Sequence, residues 1–417
     1  MTTIEDLAVR CDMGEMYLES DDEKEQRRGV EIIGDLAIEG YSQAQVILGF
    51  LYMNGDHVPQ NNEKALKWFK KADEQGDADA LVGTAILYGD NLDDGNHAFM
   101  FVKEAAEKGN KLGQLLLARV YDWGMWGIDE DIHEAEKWYK KAAQQDDNNA
   151  RFGLGRIYVE NNDMGYNTQD GIKLIEKAAR EGDREANDYL GNCYHYGIFV
   201  KKDINKAWNF YTQSGIANSL IELGLIYQRG EKMVPNDAAA IPYFEAAADQ
   251  GDSRAKYYLG RAYIDGQGVD EDTDKGWDLI DTAATDGSEL AMNFLGRTYL
   301  SIGHDEGTSD EDKKESFENA AHYLSKTAEN DNAEGEWQLG WMYIRGEYFD
   351  KDECAGINLF IKAANQDFSP AMVALGICYE EGIGVPKDKN AAISYYKKAA
   401  IQNDEEAVDA LKRLNII

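Results

Sequence analysis

The sequence is short of proline, of cysteine and of positive charge. Five prolines in 417 residues leave few obligatory breaks in helices. The four cysteines, Cys11, Cys193, Cys354 and Cys378, stand singly with no CxxC spacing. That excludes a disulfide-built scaffold and makes reduced structural thiols the expectation. Lys and Arg number 43 against 78 Asp and Glu, a formal charge of −35. A nucleic-acid backbone or an anionic membrane would repel such a chain, so neither is expected as its main partner. No apolar run nears the roughly 18 residues of a membrane span. The opening MTTIEDLAVR is acidic, with no apolar stretch behind a basic start, so it does not read as a secretory signal. A soluble cytoplasmic protein without membrane insertion is the expectation.

Catalytic signatures are missing as well. The six histidines, His57, His97, His133, His195, His304 and His322, are scattered, with no HExxH and no Cys/His cluster of metal spacing. There is no phosphate-binding GKS/T loop, no GxSxG elbow and no GxGxxG between a strand and a helix. Asp270-x-Asp272-x-Asp274 resembles the start of a calcium loop, but Lys275 holds the place of the required glycine. No enzyme activity, cofactor or metal is expected. His195, beside Tyr196, is the one histidine placed for a functional role, against the plainer reading of a surface residue.

What the chain does have is 40 glycines, and they recur. A unit with a small residue, then Leu-Gly, then Tyr appears eleven times. Its clearest copies are AQVILGFLYMNG from Ala44, ANDYLGNCYHYG from Ala186, AKYYLGRAYIDG from Ala255 and AMVALGICYEEG from Ala371. Weaker copies begin at Val9, Ala80, Gly113, Ala150, Ser219, Ala291 and Gly335. Starts are 33 to 37 residues apart, except for 44 between Ala291 and Gly335. That spacing places an insertion at 301–319, read as a functional loop or a disordered spacer.

Each unit has a second half. It starts with Gly or Ala (Ala65, Ala135, Gly276, Ala392), continues with large pairs such as Trp68-Phe69 and Tyr395-Tyr396, and ends with small pairs such as Ala399-Ala400. Spacings of three, four, seven and eight mark one helix face, so both halves are helices. Asn61, Asp131, Asp203, Asp272, Asp352 and Asp388 are placed to cap the second helices. Gly40, Gly76, Gly109, Asp146, Gly182, Asn218, Gly251, Gly287, Asp331, Asp367 and Asn403 are placed to end them in the left-handed conformation. Pro242 falls inside one second helix, which should start late or kink. A lone hairpin cannot bury both faces, so each must stack on the next. Residues 404–417 read as a capping helix, with apolar positions inward in DEEAVDALKRL.

The pattern A-x3-L-G-x2-Y-x2-G, the loop from Val385 to Asp388 and then A-x2-Y-Y-x2-A-A resemble the Sel-one-like repeat family, a branch of the tetratricopeptide-type helical repeats. The resemblance covers about residues 5–414. It implies an all-α, right-handed α/α superhelical solenoid of about eleven helix-turn-helix repeats over 1–417. It also implies a concave face of first helices that holds a partner protein or peptide, as a non-enzymatic scaffold or adaptor. A cysteine-rich bacterial subgroup of that family bridges the helices of each repeat with paired cysteines, which this chain lacks.

Phased at 100° per residue, the small residue, Leu, Gly and Tyr share one arc of the first helix. The opposite arc, the free inner surface of a solenoid, carries Arg119, Arg156, Arg261 and Arg297, joined by Arg229 and Arg345. Six of the 14 arginines thus share one stripe with Trp123, Phe152, Tyr196, Tyr257, Trp337 and Trp341. Two readings stay open. The stripe is a groove in which arginines bond carboxylates or phosphates and aromatics anchor apolar groups. Alternatively, the arginines pair with Asp122, Asp188, Glu160 or Asp265 and neutralise an acidic wall. For the protein as a whole, the alternative to a scaffold is an acidic regulatory or inhibitory subunit that masks a basic partner through its outer surface.

Overall fold

The structure, a computed structural model, describes residues 4–417 and the side chains of residues 6–417. The first three residues of the opening segment therefore lie outside the described residues. Among the described residues there are helices and no strands. They fall into two compact units, one ending at Ser214 and one spanning Gly215–Ile417.

The first unit has six helical hairpins: α1 (Ile4–Leu18) with α2 (Glu23–Glu39), α3 (Ser42–Asn54) with α4 (Asn62–Asp73), α5 (Ala78–Ile86) with α6 (Gly95–Glu107), α7 (Lys111–Trp123) with α8 (Ile132–Gln144), α9 (Asn148–Glu160) with α10 (Thr168–Arg180), and α11 (Arg184–Tyr196) with α12 (Ile204–Ser214). The second has five: α13 (Ala217–Arg229) with α14 (Asp237–Asp249), α15 (Ser253–Asp265) with α16 (Thr273–Thr285), α17 (Glu289–His304) with α18 (Asp310–Glu329), α19 (Ala333–Arg345) with α20 (Glu353–Asn365), and α21 (Ser369–Glu381) with α22 (Lys389–Ile401). A single helix, α23 (Glu405–Arg413), follows and buries Ala407 and Leu411 against the last hairpin. Within each unit the first helices touch in succession, α3–α5–α7 in one and α15–α17–α19–α21 in the other. This is the all-α repeat fold that the periodicity implies.

The helix ends have the causes read from the sequence. Asn61, Asp272 and Asp352 each accept a backbone N–H of the first turn, as do Asp131, Asp203 and Asp388. Left-handed backbone closes ten of the eleven second helices where expected, from Gly40 at φ 98° to Asn403 at φ 63°. Asn218 is the exception. Gly215 takes the left-handed conformation at φ 58°, α12 stops early, and Asn218 lies inside α13. Pro242 does not delay α14, which starts at Asp237 under its Asn236 cap. The proline removes only the N–H that would bond Ala238, one bond near the helix start.

Small residues act in two ways. A Cβ on Gly224 would lie 2.5 Å from the ring of Phe244, and one on Gly49 would lie 2.5 Å from that of Phe69, so glycine there makes room for an aromatic. At Gly155 a Cβ would meet the Gly171 carbonyl at 2.8 Å, so there the two backbones approach directly. Phe69, Phe244 and Phe360 are fully buried, each a gain of about 2–3 kcal/mol over exposure.

The residues at 301–319 form neither a loop nor a spacer. They lengthen α17 to 16 residues and α18 to 20, against 13 in α19, and leave only 305–309 outside helices. The cause is continued packing. A Cβ on Gly296 would meet Leu324 at 2.6 Å and one on Gly303 would lie 2.7 Å from Phe317, so the close packing of the two helices continues about two turns further out.

One repeat is irregular. After α5, Leu87–Asn91 form a π turn, and Trp126, at φ 58°, packs on Gly89 and donates its indole N–H to Asp90 Oδ1 at 2.9 Å.

Candidate ligand-binding cleft

The arginine stripe divides into clusters of different character. In the first unit Arg156 is locked. It bonds Asp122 on α7 and, at 2.7 Å, Glu160 on its own helix. Asp122 also accepts the Tyr139 hydroxyl at 2.9 Å, and Glu160 accepts that of Tyr189 at 3.1 Å. Burial opposes the charge on Arg156, but Asp122 and Glu160 outweigh it and hold its pKa above the ordinary value. Phe152 packs edge-on against Tyr189, with centroids 5.7 Å apart. Arg119 lies 5.6 Å over the exposed ring of Trp123, and among the described residues it has no carboxylate partner.

The end of α11 differs from expectation. Tyr196 is exposed, but His195 is buried, its Nδ1 3.2 Å from the Tyr211 hydroxyl and its ring stacked on Tyr196. His195 is a core residue and no surface group. It follows Tyr194 on the packed side of the last turn of α11, where the small-against-aromatic contact of Gly191 and Tyr211 draws it in.

In the second unit Arg261 bonds Asp265 at 2.7 Å and lies 4.8 Å over Phe294. Tyr257 contacts the same Phe294 edge-on at 6.0 Å, so both face a neighbouring repeat. Arg229 is half-exposed and reaches Glu231 at 3.6 Å. Trp337 packs edge-on to Phe368 at 6.0 Å, with its indole N–H buried and unbonded. It belongs to the core more than to a groove.

Arg297, Trp341 and Arg345 come together. They line one cleft of about 620 Å³ with Leu300, Ser301, His304 and Gln338, and its two carboxylates are Asp305 and Glu347. The first-helix register explains the meeting. Arg297 and His304 lie seven apart on α17, and Gln338, Trp341 and Arg345 lie three and four apart on α19, so each set shares a face. The two guanidiniums are half-exposed and loosely held. Arg297 reaches Glu334 at 3.1 Å, and Arg345 reaches Glu347 at 3.7 Å while lying 5.1 Å over Trp341. Glu347 is held more firmly by His304, whose Nε2 is 2.7 Å from Oε1, and its Oε2 is buried without a partner.

Such a site can bond an anionic group with two guanidiniums and cover an apolar one with the indole. Pairing within the chain, the second reading of the stripe, accounts for Arg156 and Arg261 through the carboxylates named for it. Sequence reasoning missed His304, Gln338 and Glu347. The long spacing was the signal for His304; Glu347 follows the helix-ending Gly346 and has no local mark. Asp272, part of the calcium-like run, spends its carboxylate capping α16 at Lys275.

Comparison with known proteins gives a consistent picture. The Sel1 repeat pattern matches residues 42–77, 78–110, 111–147, 149–183, 184–216, 217–252, 253–288, 290–332, 333–368 and 369–404, leaving the first hairpin outside. The chain is 25% identical over 281 residues to chitin synthase regulator SKT5 of Saccharomyces cerevisiae, covering 62% of this chain and 40% of that protein. It is 27% identical to the Sel1-repeat-containing protein YjcO of Escherichia coli, covering 39% of this chain and 72% of that one. The chain spans only 40% and 52% of the length of two curated relatives it matches. Among solved structures, a protective antigen of uropathogenic Escherichia coli with an SLR fold matches at a TM-score of 0.52 and 26% identity, over 97% of this chain and 86% of that one.

Proposed function

The chain belongs to the Sel1 repeat family, and from that premise we propose that it is a non-enzymatic scaffold whose first-helix face holds a segment of a partner protein. Proteins of this family act as interaction scaffolds or regulators. The observation that carries the proposal is the convergence of half-exposed Arg297 and Arg345 with Trp341 on one cleft. The chain as a whole carries a charge of −35, so two loosely paired guanidiniums beside an indole favour a partner segment with an acidic and an apolar side chain. The other stripe residues, Arg119 with Trp123 above all, extend the same reading along α7.

The test is affinity purification with partners identified by mass spectrometry, comparing the native chain with R297E/R345E. The expected result is a partner retained by the native chain and lost by the variant, with thermal unfolding unchanged. An unchanged partner set would remove the cleft from the proposal.

A regulatory role on the outer acidic surface is the second reading, favoured by the net charge and by the name of the yeast relative. It requires capture that weakens steeply with salt and ignores R297E/R345E. No helix among the described residues is long and apolar enough to cross a membrane.

A further inference from the structure

A second cavity lies in the first unit, among α10, the end of α11, the loop after it and the start of α12. Its volume is about 800 Å³. Four lysines line it, Lys173, Lys201, Lys202 and Lys206, against two carboxylates, Glu176 and Asp203. In a chain with 43 basic and 78 acidic residues that balance is inverted. Asp203 is also spent as the cap of α12, accepting the N–H groups of Asn205 and Lys206. Lys173 bonds Asp170 at 2.9 Å, and Lys206 sits 4.5 Å over the Tyr194 ring. Lys201 has no ion-pair partner among the described residues.

The apolar part of the cavity is Ile172, Val200 and the ring of Phe199. Phe199 is 44% exposed and held at φ 64°. Two residues past the helix-ending glycine, the same left-handed loop position is filled by Gly268 and Gly384 at φ 78° and 66°, and by His57, Trp126 and Tyr348 at φ 58°, 58° and 64°. These rings differ in what they meet: in the fourth hairpin Trp126 packs on Gly89, whereas Phe199 leaves 44% of its surface open beside the cavity. The sign of the charge is not imposed by the repeat either. In the second unit, the cavity beside the corresponding Tyr348 is lined by Glu315, Glu318 and His322.

We infer that this cavity is a docking site for an extended acidic peptide segment that places an apolar side chain on Phe199 and its carboxylates among Lys173, Lys201 and Lys206. The lining of α10 runs from Thr168 to Glu176, two turns of helix, or about 12 Å. That length accommodates about four residues of extended chain. The site is independent of the Arg297–Arg345 cleft and uses other elements.

The test measures binding of fluorescent hexapeptides rich in Asp and Glu, each with one Leu or Phe, to the full chain by polarisation. Three variants are compared: K201E/K206E, Phe199→Gly and R297E/R345E. The expected result is saturable binding that K201E/K206E weakens by about tenfold or more and that R297E/R345E leaves alone. Phe199→Gly suits its backbone, so it should fold at least as stably as the native chain while binding more weakly. No binding by any peptide, or binding unaffected by both K201E/K206E and Phe199→Gly, overturns the inference. So does equal binding of peptides with Asn and Gln in place of the acids. Displacement by inorganic phosphate at stoichiometric levels would mark a small-anion site and overturn the peptide assignment.

Discussion

Arg156 is bonded to Asp122 of the preceding hairpin, and the Asp122 carboxylate, 2% exposed, also accepts the Tyr139 hydroxyl. The bond ties α9 to α7 and leaves Arg156 only 23% exposed, whereas Arg297 and Arg345 are 48% and 50% exposed. Arg156 and Arg297 stand six residues into their units, so that one position of the repeat serves two purposes.

That difference is measurable. Arg156→Ala leaves Asp122 buried without its cation and should lower the unfolding free energy by about 1–3 kcal/mol. Arg297→Ala and Arg345→Ala should each stay within about 0.5 kcal/mol of the native chain. Urea unfolding of the three variants decides it, and equal losses would erase the distinction between locked and available arginines.

The glycine that makes room for an aromatic gives a paired prediction. Gly224→Ala puts a methyl 2.5 Å from Phe244 Cε1 and should cost about 1–3 kcal/mol. G224A/F244L, with a smaller side chain opposite, should recover part of that loss. A double variant whose loss equals the sum of the two single losses would show that the ring and the glycine are not a packed pair.

Thiol reactivity should be confined to one site. Cys11, Cys193 and Cys378 are buried, and burial pushes each of their pKa values up to about 12. Cys354 is exposed. Under native conditions iodoacetamide should modify Cys354 alone, with the other three reacting only after unfolding. Labelling of Cys193 or Cys378 at a comparable rate, read by peptide mass spectrometry, would mean that those hairpins open.

Glu336 should weaken the fold as pH rises. Its side chain is buried, Oε2 accepts from Gln366 at 2.9 Å and Oε1 has no hydrogen bond. Burial raises its pKa, Asp331 adds to the effect, and Lys362, 3.8 Å away, opposes it. The folded state thus holds a proton that the unfolded state releases at its ordinary pKa. The contribution of this group is complete below the ordinary glutamate range and is lost as pH rises through the raised value. Glu336→Gln cannot titrate and can still accept from Gln366. Its stability relative to the native chain should climb as pH rises above the ordinary glutamate range. Parallel pH profiles for the two proteins would refute this.

The sequence by itself determined the repeat, its hairpins, their caps and stops, and the terminal helix. Each of these rests on contacts within one unit or between neighbours of equal period: a capping Asp three residues from its N–H, a glycine at a helix end, a small residue facing a ring. Such contacts recur at fixed spacing and are therefore written in the chain. Where spacing failed, another local residue intervened, as Gly215 did for Asn218. Tertiary structure alone decided what the charged and exposed groups do. Arg156 and Arg297 hold the same place in their repeats, yet one meets a buried carboxylate on the first helix of the preceding hairpin and the other borders a cleft beside His304 and Glu347. The 44-residue spacing gave no sign that it was two longer helices until Gly303 was seen against Phe317. The physical reason is that backbone caps and helix faces follow from residues a few positions apart, whereas the partner of a long flexible cation depends on which side chains the next hairpin happens to bring within reach.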